Sequence, residues 1–182
     1  MKIIAACCKN LGIGMGNKIP WHIPEEFKYL KKMTSHGINP TVVMGRNTWE
    51  SLPKKPLKNR KNIIISNSLY HKDVIKYDNT FVTNDISKIH NLTKKKDPVW
   101  ILGGEKIYYQ FIDRADEIYL TFIDRNYPCD TFFPVIPNDF NLKYVSNIQH
   151  HQNIQYNYQI WDKNYLGKAL RFNYPHDINK IL

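Results

Sequence analysis

The chain is short of the residues that staple secreted folds and of the apolar runs that cross membranes. Cysteine occurs three times in 182 residues, as Cys7, Cys8 and Cys129. None forms C-x-x-C, and adjacent Cys7 and Cys8 point to opposite faces of a strand. A disulfide framework is therefore excluded, and the thiols read as reduced. The seven histidines show no H-x-x-x-H spacing, so no metal site is expected. The longest apolar run, Ile3 to Cys8, is far short of the ~20 residues of a spanning helix. No long apolar h-region or cleavage site precedes it, so a cytoplasmic protein without a signal peptide is expected. No internal repeat is present. Length and composition suffice for one domain, since a chain of this size buries ~70% of its unfolded surface without a disulfide or metal.

Acids are also scarce. Sixteen Asp and Glu stand against 26 Lys and Arg, a net charge of +10 and a pI near 9.4. Lys looks scattered, with its densest run, Lys94 to Lys96, in an expected loop. We read the excess as compositional drift toward Lys, Asn and Ile together with a phosphate-bearing ligand, and expect neither a nucleic-acid nor a membrane partner.

Short β-rich runs bounded by turn residues predict strands over Lys2 to Cys8, Thr41 to Gly45, Asn62 to Ser66, Asp73 to Tyr77, Pro98 to Leu102, Glu117 to Asp124, Lys143 to Ser146 and Ile154 to Asp162. His150 to Asn153 reads as a hairpin loop. Helices are predicted over Pro24 to Met33, with proline and two acids at its start, over Asp85 to Leu92, and from Gly104 to Phe111. Interleaved strands and helices followed by a late hairpin predict an α/β fold: a central, mostly parallel sheet with an antiparallel C-terminal hairpin and flanking helices. Its domain is expected to span 1–163. Residues 164–182 lack clear periodicity and read as an extension, either packed on the domain or linking it to something else.

Four segments carry chemistry. Gly12-Ile13-Gly14-Met15-Gly16 follows the first strand, but Pro20 blocks the helix that a dinucleotide fingerprint needs. The segment is either an ordinary flexible loop or, through Ile19 and Trp21, a lid over a flat ring. In the next helix, dipole complementation by an exposed acid accounts for Glu25. Glu26 shares a face with Leu30 and Met33, beside Phe27. A carboxylate on a buried stripe is costly without a partner, which makes Glu26 a functional candidate. Gly103-Gly104-Glu105-Lys106 joins a strand to a helix, and Gly45-Arg46-Asn47-Thr48 does the same. Each is either a tight turn or a place where backbone N–H groups meet an anion.

Together these residues resemble dihydrofolate reductase. Ile4-Ala5-Ala6, Ile13-Gly14-Met15, Ile19-Pro20-Trp21, Pro24-Glu25-Glu26-Phe27, Val43 to Ser51, Pro56-Leu57, Arg60-Lys61-Asn62, Ile101 to Gly104 with Ile107-Tyr108, Ile118 to Thr121 and Asp130 to Pro134 follow in the order of that family, over about 1–162. The resemblance implies NADPH-dependent reduction of dihydrofolate. It implies that Glu26 is the ionised group against the pterin ring, bonded by Thr121. Trp21 and Tyr108 should stand by the reacting atoms, and the carbonyls of Ile4 and Leu102 should face the ring. Ala6 should touch both ligands. Phe27, Leu30 and Leu57 should flank the aminobenzoyl group, and Arg60 should clamp the glutamate carboxylate. The cofactor should lie against Ala6, Ile13, Gly14, Ile19, Gly45, Arg46, Asn47, Thr48, Ser66, Asn67, Gly103, Gly104, Glu105, Lys106, Ile107 and Tyr108, with a cis peptide in the glycine pair. Ile19 and Leu30 stand where many members have other large apolar residues. A monomer is expected, with 164–182 a candidate link to a thymidylate synthase. Two rival readings are a riboflavin-pathway pyrimidine reductase and a non-enzymatic basic binding module. The first would not need Trp21, Glu26 and Arg60 in this arrangement, and the second would bind nucleic acid in a strongly salt-dependent way and oxidise no NADPH.

Overall fold

A computed structural model of the chain describes residues 1–93, 97–167 and 170–172. The Lys94 to Lys96 run lies outside the described residues. The sheet is built from β1 (Lys2–Cys8), β3 (Thr41–Gly45), β4 (Lys61–Ile65), β5 (Thr80–Thr83), β6 (Val99–Ile101), β7 (Glu117–Ile123), β9 (Asn141–Ser146), β10 (Gln149–His151), β11 (Ile154–Asp162) and β12 (Leu170–Phe172). Its order is β12-β9-β11-β7-β1-β6-β3-β4-β5, with β10 on β11. From β7 to β5 all neighbours are parallel, whereas β11 runs antiparallel to β7, β9 and β10. The mixed α/β sheet is the one the alternation of elements predicts. A separate two-stranded pair joins β2 (Gly12–Gly14) to β8 (Thr131–Phe132). The helices are α1 (Pro24–Thr34), α2 (Arg46–Ser51), α3 (His71–Val74), α4 (Ile89–Leu92) and α5 (Glu105–Phe111).

Alternation along β1 divides the core in two. Ile4 and Cys8 join Tyr29 and Met33 of α1 on one face, while Ile3, Ala5 and Cys7 join Ile107 and Phe111 of α5 on the other. The chain thus leaves β1 toward one face and β6 toward the opposite one. Where neighbouring parallel strands send their helices to opposite sides, a crevice opens at their carboxyl ends. The ladder agrees: β1 pairs with β6 only through Ile3↔Ile101, yet continues along β7 to Cys8↔Ile123. Beyond Ile3, β1 has no strand partner on its β6-facing edge among the described residues.

The structure corrects three expectations of local structure and adds one strand. Asp73 to Tyr77 is not a strand. Asp73 accepts the Tyr70 N–H at 2.8 Å, starting a helical turn that buries Val74 and leaves Ile75 exposed, and the strand comes later as β5. The hairpin tip is Gln152-Asn153 alone, with Gln152 at φ 52°, and both histidines before it belong to or pair through β10. The glycine-rich segment is not a free loop, since Gly12 and Gly14 pair with β8. In the extension, Leu170–Phe172 runs parallel to β9 as an edge strand.

Candidate active site

Helix α1 carries a line of functional groups across the crevice. Pro24 sets its first turn, Glu25 and Glu26 face the positive end of its dipole, and Lys31 and Lys32 occupy the last turn. Glu26, Leu30 and Thr34 are spaced by four, so they share one face over about 12 Å of helix axis. Glu26 is only 4% exposed. No described residue gives it a hydrogen bond or an ion pair. Burial without a partner pushes its carboxyl up to about 7 from 4.5.

Across the crevice, the side chains of Ala6 and Thr121 lie opposite each other in the β1–β7 register. The Thr121 hydroxyl is buried and has no hydrogen-bond partner. The direct Thr121–Glu26 bond implied by the resemblance is therefore not made. An orphaned buried hydroxyl is costly unless something polar reaches it. Tyr108 is buried on the other side of the sheet. Its hydroxyl donates to the Ile4 carbonyl at 2.9 Å. Burial first, and then the Glu26 charge, hold its phenol well above the ordinary range. Tyr108 is thus a neutral donor that fixes the edge of β1.

The two glycine turns expected to meet an anion come together. The Gly45 N–H donates to the Gly103 carbonyl at 2.7 Å, and Thr48 Oγ1 lies 3.4 Å from where a Cβ on Gly104 would sit. The Gly103-Gly104 peptide is cis, as expected. At φ 85°, a Cβ on Gly103 would stand 2.5 Å from the Tyr108 ring, so glycine is required there. Ile107 is buried against this turn, while Asn47 and Lys106 are exposed beside it. Arg46 pairs with Glu50 at 3.7 Å. The Glu105 carboxylate accepts the Phe132 N–H at 3.1 Å, which turns it toward β8.

Farther out, Ser66 and Asn67 help line a cleft of about 450 Å³ beyond β4 and β5, with His71 and Lys88 and no acid among its walls. Its walls combine cationic, amide and hydroxyl groups, chemistry suited to an anionic, polar ligand.

At the far end of α1, Arg60 is 7% exposed without a carboxylate partner. Its Nε donates to the Lys58 carbonyl at 3.1 Å and its NH1 donates to Thr34 Oγ1 at 2.7 Å. Thr34 spends its own proton on the Leu30 carbonyl at 2.7 Å, so its oxygen faces Arg60 as an acceptor. Burial lowers the Arg60 pKa. Leu30, Leu57 and Ala6 pack against the same core cluster. Leu52 joins them, a residue the sequence reading passed over, as it did Thr34. Phe27, read as lying beside that face, is 44% exposed.

Trp21 is buried, its ring 5.5 Å from Tyr127. Ile19 is 47% exposed at the crevice-side loop, and Ile13 packs against the α5 face of the core. The loop between is held down: the Gly16 N–H donates to Asp130 at 2.8 Å, and the Asp130 N–H donates to the Gly14 carbonyl at 3.0 Å. Asp130 lay within the recognised Asp130-Thr131-Phe132-Phe133-Pro134 string, yet nothing in the string indicated this latch.

The crevice side of the sheet thus carries a buried carboxylate and, at the far end of the same helix, a buried arginine, with an orphaned hydroxyl on β7 and a polar cleft beyond β4 and β5. Comparison with known proteins agrees. The model of the family described as dihydrofolate reductase matches residues 1–164. A dihydrofolate reductase of Buchnera aphidicola subsp. Schizaphis graminum is 44% identical over 135 residues, covering 74% of this chain and 78% of that protein. One from Ureaplasma parvum is 38% identical, covering 78% and 86%. One from Aedes albopictus is 35% identical over 180 residues, covering 88% and 96%. With its fold and these relatives in agreement, the chain belongs to the dihydrofolate reductase family.

Proposed function

We propose that the crevice between β1 and β6 is where the chain reduces 7,8-dihydrofolate to 5,6,7,8-tetrahydrofolate, the NADPH-dependent reaction of its family, and that Glu26 is the charge on which the reaction turns. The observation that carries this reading is the isolation of Glu26: a carboxyl 4% exposed, unpaired, with its pKa raised to about 7. A pterin brings an amino group and a ring N–H to such a carboxylate, and hydrogen bonds to the charged form favour ionisation. NADPH, when bound, supplies the hydride that goes to C6.

The chain's own part is to hold the ring and to favour a proton at N5. An anionic Glu26 in a dry cavity stabilises the positive charge that N5 gains, without reorganising at the moment of reaction. Thr121, with its hydroxyl unspent, is placed to bond the carboxylate or a water beside it once the ring fills the site. Tyr108 holds the Ile4 carbonyl, and with it the β1 edge that the ring meets. Trp21 closes the cavity from the loop side and excludes bulk water. Leu30 and Leu57, with Leu52, flank the aminobenzoyl group, and Arg60 receives the glutamate carboxylate. For NADPH, Gly45 to Thr48 and Gly103 to Ile107 would hold the centre of the molecule and Ser66 and Asn67 its adenosine end. Glu105 is an exception among these, since its carboxylate serves the contact with β8 and would repel a phosphate.

The finer reading is a cytoplasmic monomer whose working unit is 1–163. The pairing of Leu170–Phe172 with β9 supports an extension docked on the same sheet over a free link to a thymidylate synthase. No described helix is long and apolar enough to cross a membrane. Loss of NADPH absorbance with and without dihydrofolate tests the function. Oxidation that requires dihydrofolate supports it. Oxidation with a pyrimidine substrate instead, or none with either, would refute it.

A further inference from the structure

Two thiols far apart in the chain come together beside the lid segment. Cys8 ends β1 and Cys129 lies just before β8, 121 residues away, yet their sulfurs stand 3.9 Å apart as free thiols. Cys8 Sγ donates to Asn10 Oδ1 at 2.8 Å. That uses its one proton, so the proton in the sulfur–sulfur contact is that of Cys129. Cys8 is wholly buried, whereas Cys129 is half-buried. The third cysteine, Cys7, takes no part, since it packs in the core on the opposite face of β1.

The chain around the pair is shaped to it. A Cβ on Gly12 would stand 2.3 Å from Cys129 Sγ and 3.1 Å from Cys8 Sγ. Gly12 does not have a positive φ, so it is the two sulfurs, and not the backbone, that require glycine there. The segment carrying Cys129 is also tied to the lid. The Lys9 N–H donates to the Arg125 carbonyl at 3.0 Å, and the Asn10 amide donates to the Tyr127 carbonyl at 3.3 Å. Tyr127 packs on Trp21, and Asp130, next to Cys129, holds Gly14 and Gly16. Every one of these ties is non-covalent and can open. Closing 3.9 Å to the ~2 Å of an S–S bond takes a small displacement, available to a loop in which Asp124, Arg125, Asn126 and Pro128 are exposed.

We infer that Cys8 and Cys129 form a redox pair whose disulfide fixes the 125–130 segment to the end of β1 and thereby holds the lid, 12–21, in its latched position. The oxidant is a low-molecular-weight disulfide such as glutathione disulfide. The Cys129 thiolate attacks one of its sulfurs, forming a mixed disulfide and releasing one glutathione thiolate. The Cys8 thiolate then attacks Cys129 Sγ, breaking the mixed disulfide and releasing the second glutathione thiolate. The two protons lost by the protein thiols are taken up by the two glutathione thiolates. Two protein thiols are oxidised and one small disulfide is reduced. Burial first, and then Cys8, push the Cys129 thiol up to about 11. Little thiolate is present at neutral pH, so the exchange is slow there.

The test incubates the intact chain with excess glutathione disulfide at about pH 8.5, where more thiolate forms. One portion is denatured, alkylated with N-ethylmaleimide, digested and read by mass spectrometry, and turnover is measured on another. A peptide cross-linked between Cys8 and Cys129 should appear, with Cys7 alone alkylated. The oxidised chain should lose kcat several-fold with less change in KM, because lid opening limits turnover in enzymes of this kind, and dithiothreitol should reverse both changes. Cys129→Ser and Cys129→Ala should each keep the turnover of the reduced wild type and lose the response to the oxidant. Three alkylated thiols after prolonged oxidation overturn the proposal, as does glutathione left on Cys129 with Cys8 alkylated. A Cys8–Cys129 bond that leaves kcat unchanged, or a loss of kcat that the Cys129 variants share, overturns it too. The turnover arm rests on the reductase reading, and its failure is distinct: a reduced chain without turnover refutes that reading, while the cross-linked peptide tests the pair by itself.

Discussion

Replacing Glu26 with Gln should make the ligand-free protein more stable relative to wild type as pH rises, even as it damages catalysis. Glu26 titrates near about 7 in the fold against 4.5 for an ordinary glutamate, and burial is the cause. Below pH 4.5 the group is neutral in both folded and unfolded states and contributes nothing. Between 4.5 and about 7 the unfolded chain has released its proton while the folded one retains it. The folded state then binds more protons, so stability falls as pH rises, and it levels off once the folded group also ionises. The shift corresponds to about 3 kcal/mol across that window, at about 1.4 kcal/mol per unit. A buried Gln amide has its own cost, but that cost does not change with pH. The quantity to measure is therefore the change in the stability gap between variant and wild type, from urea unfolding at about pH 5 and about pH 8. The gap should move in favour of Glu26→Gln by up to about 3 kcal/mol. If the gap is the same at both values, Glu26 is not buried and unpaired as described here.

Three further outcomes follow from the site. Arg60→Leu should raise KM for dihydrofolate by about 10- to 150-fold, the worth of a charge-assisted hydrogen bond, with a smaller change in kcat and little effect on a pterin lacking glutamate; equal loss on both substrates would remove Arg60 from the tail site. Arg46→Ser should weaken NADPH more than NADH in direct binding; an unchanged preference would move the discrimination to the cleft that holds Ser66, Asn67 and Lys88. Ending the chain at Lys163 should leave turnover within a few-fold, because no site residue lies beyond it, while urea unfolding shifts to lower denaturant from loss of the β12–β9 pairing; a folded truncation without activity would contradict the boundary.

The parallel half of the sheet was legible because its strands are short buried runs between glycine, proline and polar turns, and Lys2–Cys8 and Thr41–Gly45 match their predicted bounds. Asp73 to Tyr77 misled because five residues fit both periods, and what decided between them was the bond from Tyr70 to Asp73. Within the site, Glu26 could be singled out from helical spacing alone, since an acid beside Leu30 and Met33 conflicts with burial. Thr34 could not. Its role depends on Arg60, 26 residues away, and a threonine near a helix end carries no signal of that contact. The Asp130 latch on Gly16 is hidden for the same reason, its partners being 114 residues apart.

The account rests on an ionised Glu26 favouring a proton at N5, and the direct measurement is the steady-state rate of Glu26→Gln from about pH 5 to about pH 9, with Glu25→Gln as control. Gln keeps the size and removes the charge. The variant should be slower than wild type by ~10²-fold or more near neutrality, the scale of a positioned acid–base group. It should recover as pH falls, because free dihydrofolate then arrives already protonated at N5. Glu25 is exposed and meets His151 at 3.1 Å, so its variant should stay close to wild type throughout. Wild-type rates for Glu26→Gln at pH 7, or a loss that does not diminish toward acid, would contradict the mechanism.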